Sequence, residues 1–183
     1  NPENLPASWM PSQTQQLQSA CVLLDPYTGE IKALSGGVGE KVRNFGYNNA
    51  TDAKRSPGSS IKPLTAYAPA LELGLVTQTP LVNDGPPDEV HLNGTYWYPF
   101  NDDYAYAGVI TIADALRTSR NTVAAQLVDK LSPQTSFDFL TKKLGVTSAV
   151  EYRVVGETGQ IQSDIAYAPM ALGALTDGIT VRE

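Results

Sequence analysis

The segment Arg55-Ser56-Pro57-Gly58-Ser59-Ser60-Ile61-Lys62-Pro63 places a serine and a lysine three residues apart, directly after a proline-glycine break. A helix that begins there puts Ser59 and Lys62 on one face, because side chains at i and i+3 are neighbours. A serine hydroxyl becomes a strong nucleophile when a nearby base takes its proton, and a lysine serves as that base when burial lowers its pKa. The segment therefore predicts a nucleophile, Ser59, with its base, Lys62, at a helix start whose free N–H groups favour an oxyanion.

A second small motif lies further along the chain. Taken alone, Ser-x-x-Lys is more typical of a serine that caps a helix and a solvated lysine in its first turn. However, Ser119-Arg120-Asn121 is the only Ser-x-Asn in the chain, and the pair Ser59 and Lys62 forms the only Ser-x-x-Lys. The second motif falls on a connection between two predicted helices, where short polar side chains can face a cleft while Arg120 is directed elsewhere.

Together the two motifs resemble those of the serine penicillin-binding proteins, specifically the transpeptidase domain of the bifunctional class A type. Tyr98-Pro99-Phe100-Asn101 and Tyr106-Ala107-Gly108 are similar to further segments of that family. Residues 23–37, 45–51 and 115–124 extend the resemblance, which covers the chain from about residue 18 to its end. It implies an α/β (α+β) fold of the penicillin-binding-protein and serine beta-lactamase type, in which an antiparallel sheet packs with a mainly helical subdomain. Only the first hairpin of that sheet is expected in this chain.

The resemblance also implies an activity, that of a peptidoglycan D,D-transpeptidase, an acyltransferase of cell-wall synthesis. Its substrate is a stem peptide ending in D-Ala-D-Ala, and beta-lactam antibiotics acylate the same serine. Ser59 would attack the penultimate D-alanine carbonyl, with Lys62 as its base. Ser119 would relay the proton to the leaving amine, while Asn121 would hold the substrate amide and help orient Lys62.

Three more residues are candidates for substrate binding: Tyr98, Trp97 and Thr122. The aromatic pair could line a groove for a peptide or glycan, and packing of the surrounding loop onto the domain explains it equally well. No metal or organic cofactor is implied. The single cysteine, Cys21, excludes an internal disulfide and a cysteine metal cluster, and its apolar strand predicts a buried, inert thiol.

Two other functions fit the same motifs. A serine beta-lactamase shares them and hydrolyses its acyl-enzyme, which in the class A type requires a glutamate placed to activate water, usually followed four residues later by asparagine. Here Glu151 and Glu157 are followed at that spacing by Val155 and Ile161, so no such base is predicted. A non-catalytic penicillin-recognising sensor of the same fold is the other alternative, and the complete set of four polar residues argues against it.

Composition sets the remaining limits. The chain has 183 residues, 42% hydrophobic and 17% charged, which is typical of one globular domain or a large part of one. A formal net charge of −6 argues against a nucleic-acid partner, which would require a basic face. No apolar run approaches the roughly 20 residues that a membrane helix needs.

The predicted organisation is a linker over residues 1–17, which contains three prolines, followed by the N-terminal part of a transpeptidase domain over residues 18–183. No Lys-Thr-Gly or Lys-Ser-Gly occurs, so a second segment of the same protein is expected to supply this third motif and the remaining strands. By resemblance, a membrane anchor would precede the linker and hold the domain on the extracytoplasmic face of the bacterial cell membrane. Thr180 and Glu183 have the spacing of a capping box, the pair of side chains that opens a helix, so a helix is predicted to begin there.

The expected secondary structure follows from local signals. A hairpin is predicted over residues 19–35, a helix over residues 59–73 that is bent at Pro69 and capped by Gly74, and a mostly loop segment over residues 76–108. Helices are then predicted over residues 111–118 and 121–131, and over residues 133–144 with Ser132 as its cap. A short hairpin is predicted around Gly156 and Gly159.

Overall fold

A computed structural model describes residues 17–41, 44–86, 91–92, 95–96, 98–156 and 159–183. They form two compact units, of which one extends to Ala53 and includes Arg182, and the other runs from Lys54 to Val181 and includes Glu183. Residues 1–16 of the predicted linker lie outside the described residues. Short antiparallel strand pairs and helices share the chain, which confirms the predicted α/β class.

The first unit contains the predicted hairpin, in which β1 (Cys21–Leu24) pairs antiparallel with β2 (Ile31–Ser35). Its turn is held by the Asp25 side chain, which accepts hydrogen bonds from two following backbone N–H groups. All five residues of β2 are exposed. Cys21 is exposed as well, so the prediction of a buried thiol is wrong. An apolar strand buries its side chains only where another layer covers the sheet, and the sequence of the hairpin cannot supply that layer.

The core of the second unit is α3 (Asn121–Leu131), in which eight of eleven residues are buried. Its valine, alanine and leucine residues form a wide buried face, whereas Gln126, Asp129 and Lys130 lie together on the opposite side. It packs against α4 (Pro133–Asp138), α5 (Tyr167–Leu172) and the segment that carries Lys62. The N-terminus of α3, where Asn121 lies, is therefore fixed by the packing of the whole unit.

The segment predicted as one bent helix has three parts. A 3₁₀ turn (Gly58–Ile61) leads into a π-helical turn (Pro63–Tyr67), and α1 (Ala68–Glu72) follows. Pro69 has no N–H to donate, and the wider π-helical turn lies directly before it, with the Ala68 N–H donating to the Pro63 carbonyl. The segment ends at Gly74, which has a φ of +68° and is the predicted C-terminal cap.

The next helices begin and end close to the predicted residues. The first, α2 (Ile112–Arg117), is capped by the Thr111 hydroxyl, which accepts a hydrogen bond from the Asp114 N–H. Ser132 caps α4 in the same way, with Pro133 in the first helical position, and a π-helical turn (Phe139–Lys143) continues it.

The segment 76–108, predicted to be mostly loop, also contains short strands. There β3 (Leu81–Asp84) pairs antiparallel with β6 (Gly108–Thr111), and between them lie β4 (His91–Leu92) and β5 (Thr95–Tyr96). Strands this short have weak local signals, and the pairing of β3 with β6 joins residues far apart in the chain. The second predicted hairpin is present as β7 (Arg153–Val155) and β8 (Gln160–Gln162); residues 157–158 between them lie outside the described residues.

Candidate active site

Lys62 lies at the centre of a buried polar cluster. Its side chain is only 1% exposed, and its Nζ donates hydrogen bonds to the Ser119 carbonyl at 2.7 Å and to the Ser119 Oγ at 3.0 Å. The third acceptor is the Asn121 Oδ1. The structure thus brings together three of the four residues that the sequence predicted to carry the chemistry.

Ser59 precedes Lys62 by one turn of the same segment. It is exposed, and its carbonyl accepts a hydrogen bond from the Lys62 N–H, which closes the 3₁₀ turn. Residues at i and i+3 eclipse one another in a 3₁₀ turn, so Ser59 and Lys62 share a face. Within the described part of the chain, the Ser59 hydroxyl makes no hydrogen bond, whereas the next serine, Ser60, donates to the Pro57 carbonyl. The structure therefore leaves the Ser59 hydroxyl free, one turn before a lysine whose Nζ is already hydrogen-bonded.

Ser119 owes its position to the way α2 ends. The Ser119 N–H donates to the Leu116 carbonyl and the Arg120 N–H to the Ala115 carbonyl, which is the hydrogen-bond pattern of a Schellman motif. In that motif the residue at the Ser119 position is left-handed, and Ser119 has a φ of +56°. Glycine usually occupies this position because a Cβ there is strained by roughly 1–2 kcal/mol. The turn exposes the Ser119 carbonyl and hydroxyl together to Lys62.

The orientation of the Asn121 amide is fixed by its partners. Its Nδ2 donates to the Phe100 carbonyl at 2.7 Å and to an Asp102 carboxylate oxygen at 3.3 Å, so its Oδ1 faces Lys62. Its backbone N–H donates to the Asn101 Oδ1 at 2.9 Å. Residues 100–102, which lie in the segment between β5 and β6, therefore hold both the backbone and the side chain of Asn121.

Burial lowers the pKa of Lys62 from its usual value to about 8, and the nearby Asp102 carboxylate acts in the opposite direction. An ammonium has three protons, and all three are used on the acceptors described above. Two of these acceptors, the carbonyl and the amide oxygen, can only accept. The Ser119 hydroxyl can also donate, so it can turn toward a neutral Nζ when the lysine has lost a proton. The cluster therefore accommodates both charge states of Lys62 near neutral pH.

The three predicted substrate-binding residues have other neighbours. Thr122 is fully buried, and its Oγ1 donates to the Asp84 carboxylate. Tyr98 is half-buried, and its hydroxyl donates to the Gly85 carbonyl at 2.7 Å. Trp97 lies outside the described residues. None of the described contacts brings Thr122 or Tyr98 to Lys62.

Sequence reasoning passed over two residues of this neighbourhood, Asn101 and Asp84. Asn101 stood in a segment that supported the family resemblance, and nothing marked its side chain as one that holds Asn121. Asp84 stood in a stretch without periodicity. In the structure it is buried at the end of β3 and accepts a hydrogen bond from the Asn101 Nδ2 at 2.8 Å.

No cluster of three or more His, Cys, Asp or Glu side chains suited to a metal ion occurs among the residues that the structure describes. Over the same residues, every helix is too short or too polar to cross a membrane.

Comparison with known proteins gives a family match over residues 19–181, described as the penicillin-binding protein transpeptidase domain. Penicillin-binding protein 1A of Clostridium acetobutylicum is 42% identical over 139 residues, which are 72% of this chain and 17% of that protein. The protein of the same name from Neisseria lactamica is 34% identical over 90% of this chain and 21% of its own length. The chain thus spans about a fifth of the length of these relatives.

Solved structures agree with the family match. A crystal structure of penicillin-binding protein 1A from Haemophilus influenzae matches 86% of this chain and 21% of its own, with a TM-score of 0.66 and 26% identity. The penicillin-binding protein PonA1 from Mycobacterium tuberculosis matches 86% of this chain and 38% of its own, with a TM-score of 0.60 and 27% identity. The chain therefore belongs to the penicillin-binding protein transpeptidase domain family, and its relatives are of the class A type.

Proposed function

We propose that the protein containing this chain is a peptidoglycan D,D-transpeptidase that works through an acyl-enzyme on Ser59. The observation that carries the proposal is the buried contact of Lys62 with Ser119 and Asn121. A lysine with a pKa of about 8 is neutral in a useful fraction of molecules near neutral pH, which suits it to act as a general base. The free hydroxyl of Ser59 on the same turn is the group from which it would take a proton.

The acylation step follows from these positions. The Ser59 Oγ attacks the carbonyl carbon of the penultimate D-alanine, and its proton passes to the neutral Lys62 Nζ. The tetrahedral intermediate collapses when the bond to the nitrogen of the last D-alanine breaks. That nitrogen takes a proton from the Ser119 hydroxyl, and Lys62 returns a proton to the Ser119 oxygen. The products are an ester on Ser59 and free D-alanine, and Lys62 is neutral again.

The second half reverses the proton transfers. The amine of a neighbouring stem peptide attacks the ester carbonyl and loses a proton to the same cluster. The bond to the Ser59 oxygen then breaks, and that oxygen regains its proton. With a beta-lactam, the ring nitrogen remains attached to the acyl group after the amide bond opens, so the leaving group cannot diffuse away. The acyl-enzyme is therefore expected to persist.

Two further parts of the proposal concern the setting of the domain. Stem peptides lie outside the cytoplasmic membrane, so the domain would act on the extracytoplasmic face of the bacterial cell. The exposed hairpin β1–β2 would be completed by strands from a second segment of the same protein, which carries the Lys-Thr-Gly or Lys-Ser-Gly motif. An unpaired strand edge with apolar faces favours such completion.

The test uses the full-length protein that contains this chain and a fluorescent penicillin. We expect stoichiometric covalent labelling that Ser59→Ala abolishes, with a loss of about 10⁶-fold by analogy with other serine nucleophiles. Ser60→Ala is the matched control, because Ser60 is the adjacent serine and its hydroxyl is bonded to the Pro57 carbonyl. It should label like the parent protein.

Other outcomes would change the conclusion. Equal labelling of Ser59→Ala would refute the nucleophile. Release of hydrolysed penicillin within seconds would identify a beta-lactamase. Stable labelling without D-alanine release or cross-linking of stem peptides would identify a sensor.

A further inference from the structure

Asp84 is a buried carboxylate that the proposed chemistry does not use. It lies at the end of β3 and is 0% exposed. One of its oxygens, Oδ1, accepts hydrogen bonds from the Thr122 hydroxyl and from the Asn101 Nδ2 at 2.8 Å. The other oxygen, Oδ2, accepts a hydrogen bond from the Ala107 N–H at 2.8 Å and lies 3.3 Å from the Arg120 Nε. The contact with Arg120 is an ion pair whose geometry is not that of a hydrogen bond.

These partners converge on three consecutive residues. Asp84 contacts Arg120 and Thr122 directly, and it reaches Asn121 through Asn101, whose Oδ1 accepts the Asn121 N–H at 2.9 Å. The same asparagine side chain thus donates to Asp84 and accepts from Asn121. Asp84 therefore holds the residue before Asn121, the residue after it, and the acceptor of its backbone N–H.

Asp84 is charged at neutral pH. Burial acts to raise the pKa of its carboxyl, but the hydrogen bonds from Thr122, Asn101 and Ala107, together with the Arg120 guanidinium, outweigh burial and lower the pKa. A carboxylate is the only side chain of this size that offers acceptors alone on both ends. Every group that faces Asp84 at close range is a donor, so the charged form matches the pocket.

We propose that Asp84 is a positioning residue, which fixes Asn121 and thereby the Lys62 Nζ relative to Ser59. The proposal rests on the transpeptidase function proposed above. Its consequence is that acylation depends on a carboxylate that touches neither the substrate nor the reacting atoms.

Replacement of Asp84 by asparagine keeps the shape and removes this match. The amide NH₂ has to face either Thr122 and Asn101 or the Ala107 N–H and Arg120, so donors face donors in both orientations. We expect the N-terminus of α3, where Asn121 lies, to shift. A shift of about 1 Å near reacting groups reduces rates by up to about 10²-fold.

The experiment measures the acylation rate by a fluorescent penicillin in the full-length protein, normalised to the folded fraction. Asp84→Asn is expected to acylate about 10 to 100 times more slowly than the parent. Asp164→Asn is the matched control, because Asp164 is also 0% exposed and accepts three hydrogen bonds, from the Val150 and Thr176 N–H groups and from the Thr176 hydroxyl. It contacts no residue of the Lys62 cluster, so its folded protein should acylate at the parental rate.

A second pair of variants applies whether or not Asp84→Asn folds. Thr122→Val removes the hydroxyl that Asp84 accepts from and keeps the volume, whereas Thr122→Ser keeps the hydroxyl and loses a methyl group. Slow acylation by the valine variant that the serine variant restores supports positioning. Slow acylation by Thr122→Ser with parental acylation by Thr122→Val would overturn it. Parental acylation by both Asp84→Asn and Thr122→Val would overturn it as well. If the parent protein itself is not acylated, the proposed function fails, and this outcome is distinct from an acylated parent whose Asp84 variants are equally fast.

Discussion

Gly173 packs against the turn that carries Ser59, the proposed nucleophile. It follows α5 with a φ of +75°, and a Cβ built on it would lie 2.3 Å from the Gly58 carbonyl oxygen and 2.7 Å from the Gly58 nitrogen. Its own carbonyl accepts a hydrogen bond from the Ser56 hydroxyl. The backbones of Gly173 and Gly58 thus touch directly, one residue before Ser59. Gly173→Ala is therefore expected to displace the turn that carries Ser59.

The size of the effect follows from these distances. Non-bonded heavy atoms prefer separations of about 3.5 Å or more, so one backbone has to move by roughly 1 Å. Overpacking of this kind destabilises by about 1–3 kcal/mol, and the left-handed φ adds roughly 1–2 kcal/mol for alanine. Because the movement falls next to Ser59, we expect acylation by penicillin to slow by about 10²-fold.

Gly145→Ala separates the cost of the left-handed φ from the cost of overpacking. Gly145 also follows a helical segment, its φ is +78°, and a Cβ there meets nothing within 4 Å. It should lose only the stability that the left-handed φ explains and should acylate like the parent. The assay pairs the thermal transition of the full-length protein with its acylation rate. Parental acylation by a destabilised Gly173→Ala would refute the reasoning, since the Ser59 turn would then not depend on this contact.

Two further predictions concern Lys62 and Ser119. Because burial lowers the Lys62 pKa to about 8, and only the neutral amine can act as a base, acylation should rise about tenfold per pH unit below pH 8 and level off above it. Lys62→Arg should abolish this rise together with the activity, and a flat profile from pH 6 to pH 9 in the parent would contradict the role of Lys62. Ser119→Gly and Ser119→Ala both remove the hydroxyl and should acylate slowly, but only glycine relieves the φ of +56°. The glycine variant should therefore be the more stable by about 1 kcal/mol in thermal unfolding, and equal stability would contradict the strain.

Local signals were enough for the helices on either side of the second motif. Ser132 followed by Pro133 predicted the start of α4, and Thr111 lies one residue before α2 as its cap. These signals act within one turn of helix, so the sequence contains all the groups that matter. The family resemblance then predicted which side chains would meet, and the structure brings Lys62 to Ser119 and Asn121.

The elements that the sequence did not predict include those that contain a proline or depend on pairing between distant strands. No helix was predicted over residues 167–172, a short segment that contains Pro169. In the structure Pro169 falls in the first turn of α5, where a missing N–H is tolerated. The pairing of Leu81 with Thr111 in β3 and β6 depends on a contact between distant parts of the chain, which no local pattern reveals.

Three residues that break local rules in this unit lie at or beside the candidate site. Lysine and aspartate are rarely buried, yet Lys62 and Asp84 are, and Ser119 takes a left-handed conformation that favours glycine. Each exception lowers the stability that the segment would have alone, and α3 and its neighbours offset that loss by burying most of their apolar surface. Exceptions whose cost the surrounding fold offsets are expected at functional sites, where side chains have to be held in particular positions. This is why rules of local propensity find the helices around the site and overlook Asp84, whose role is defined only by the donors that the fold gathers around it.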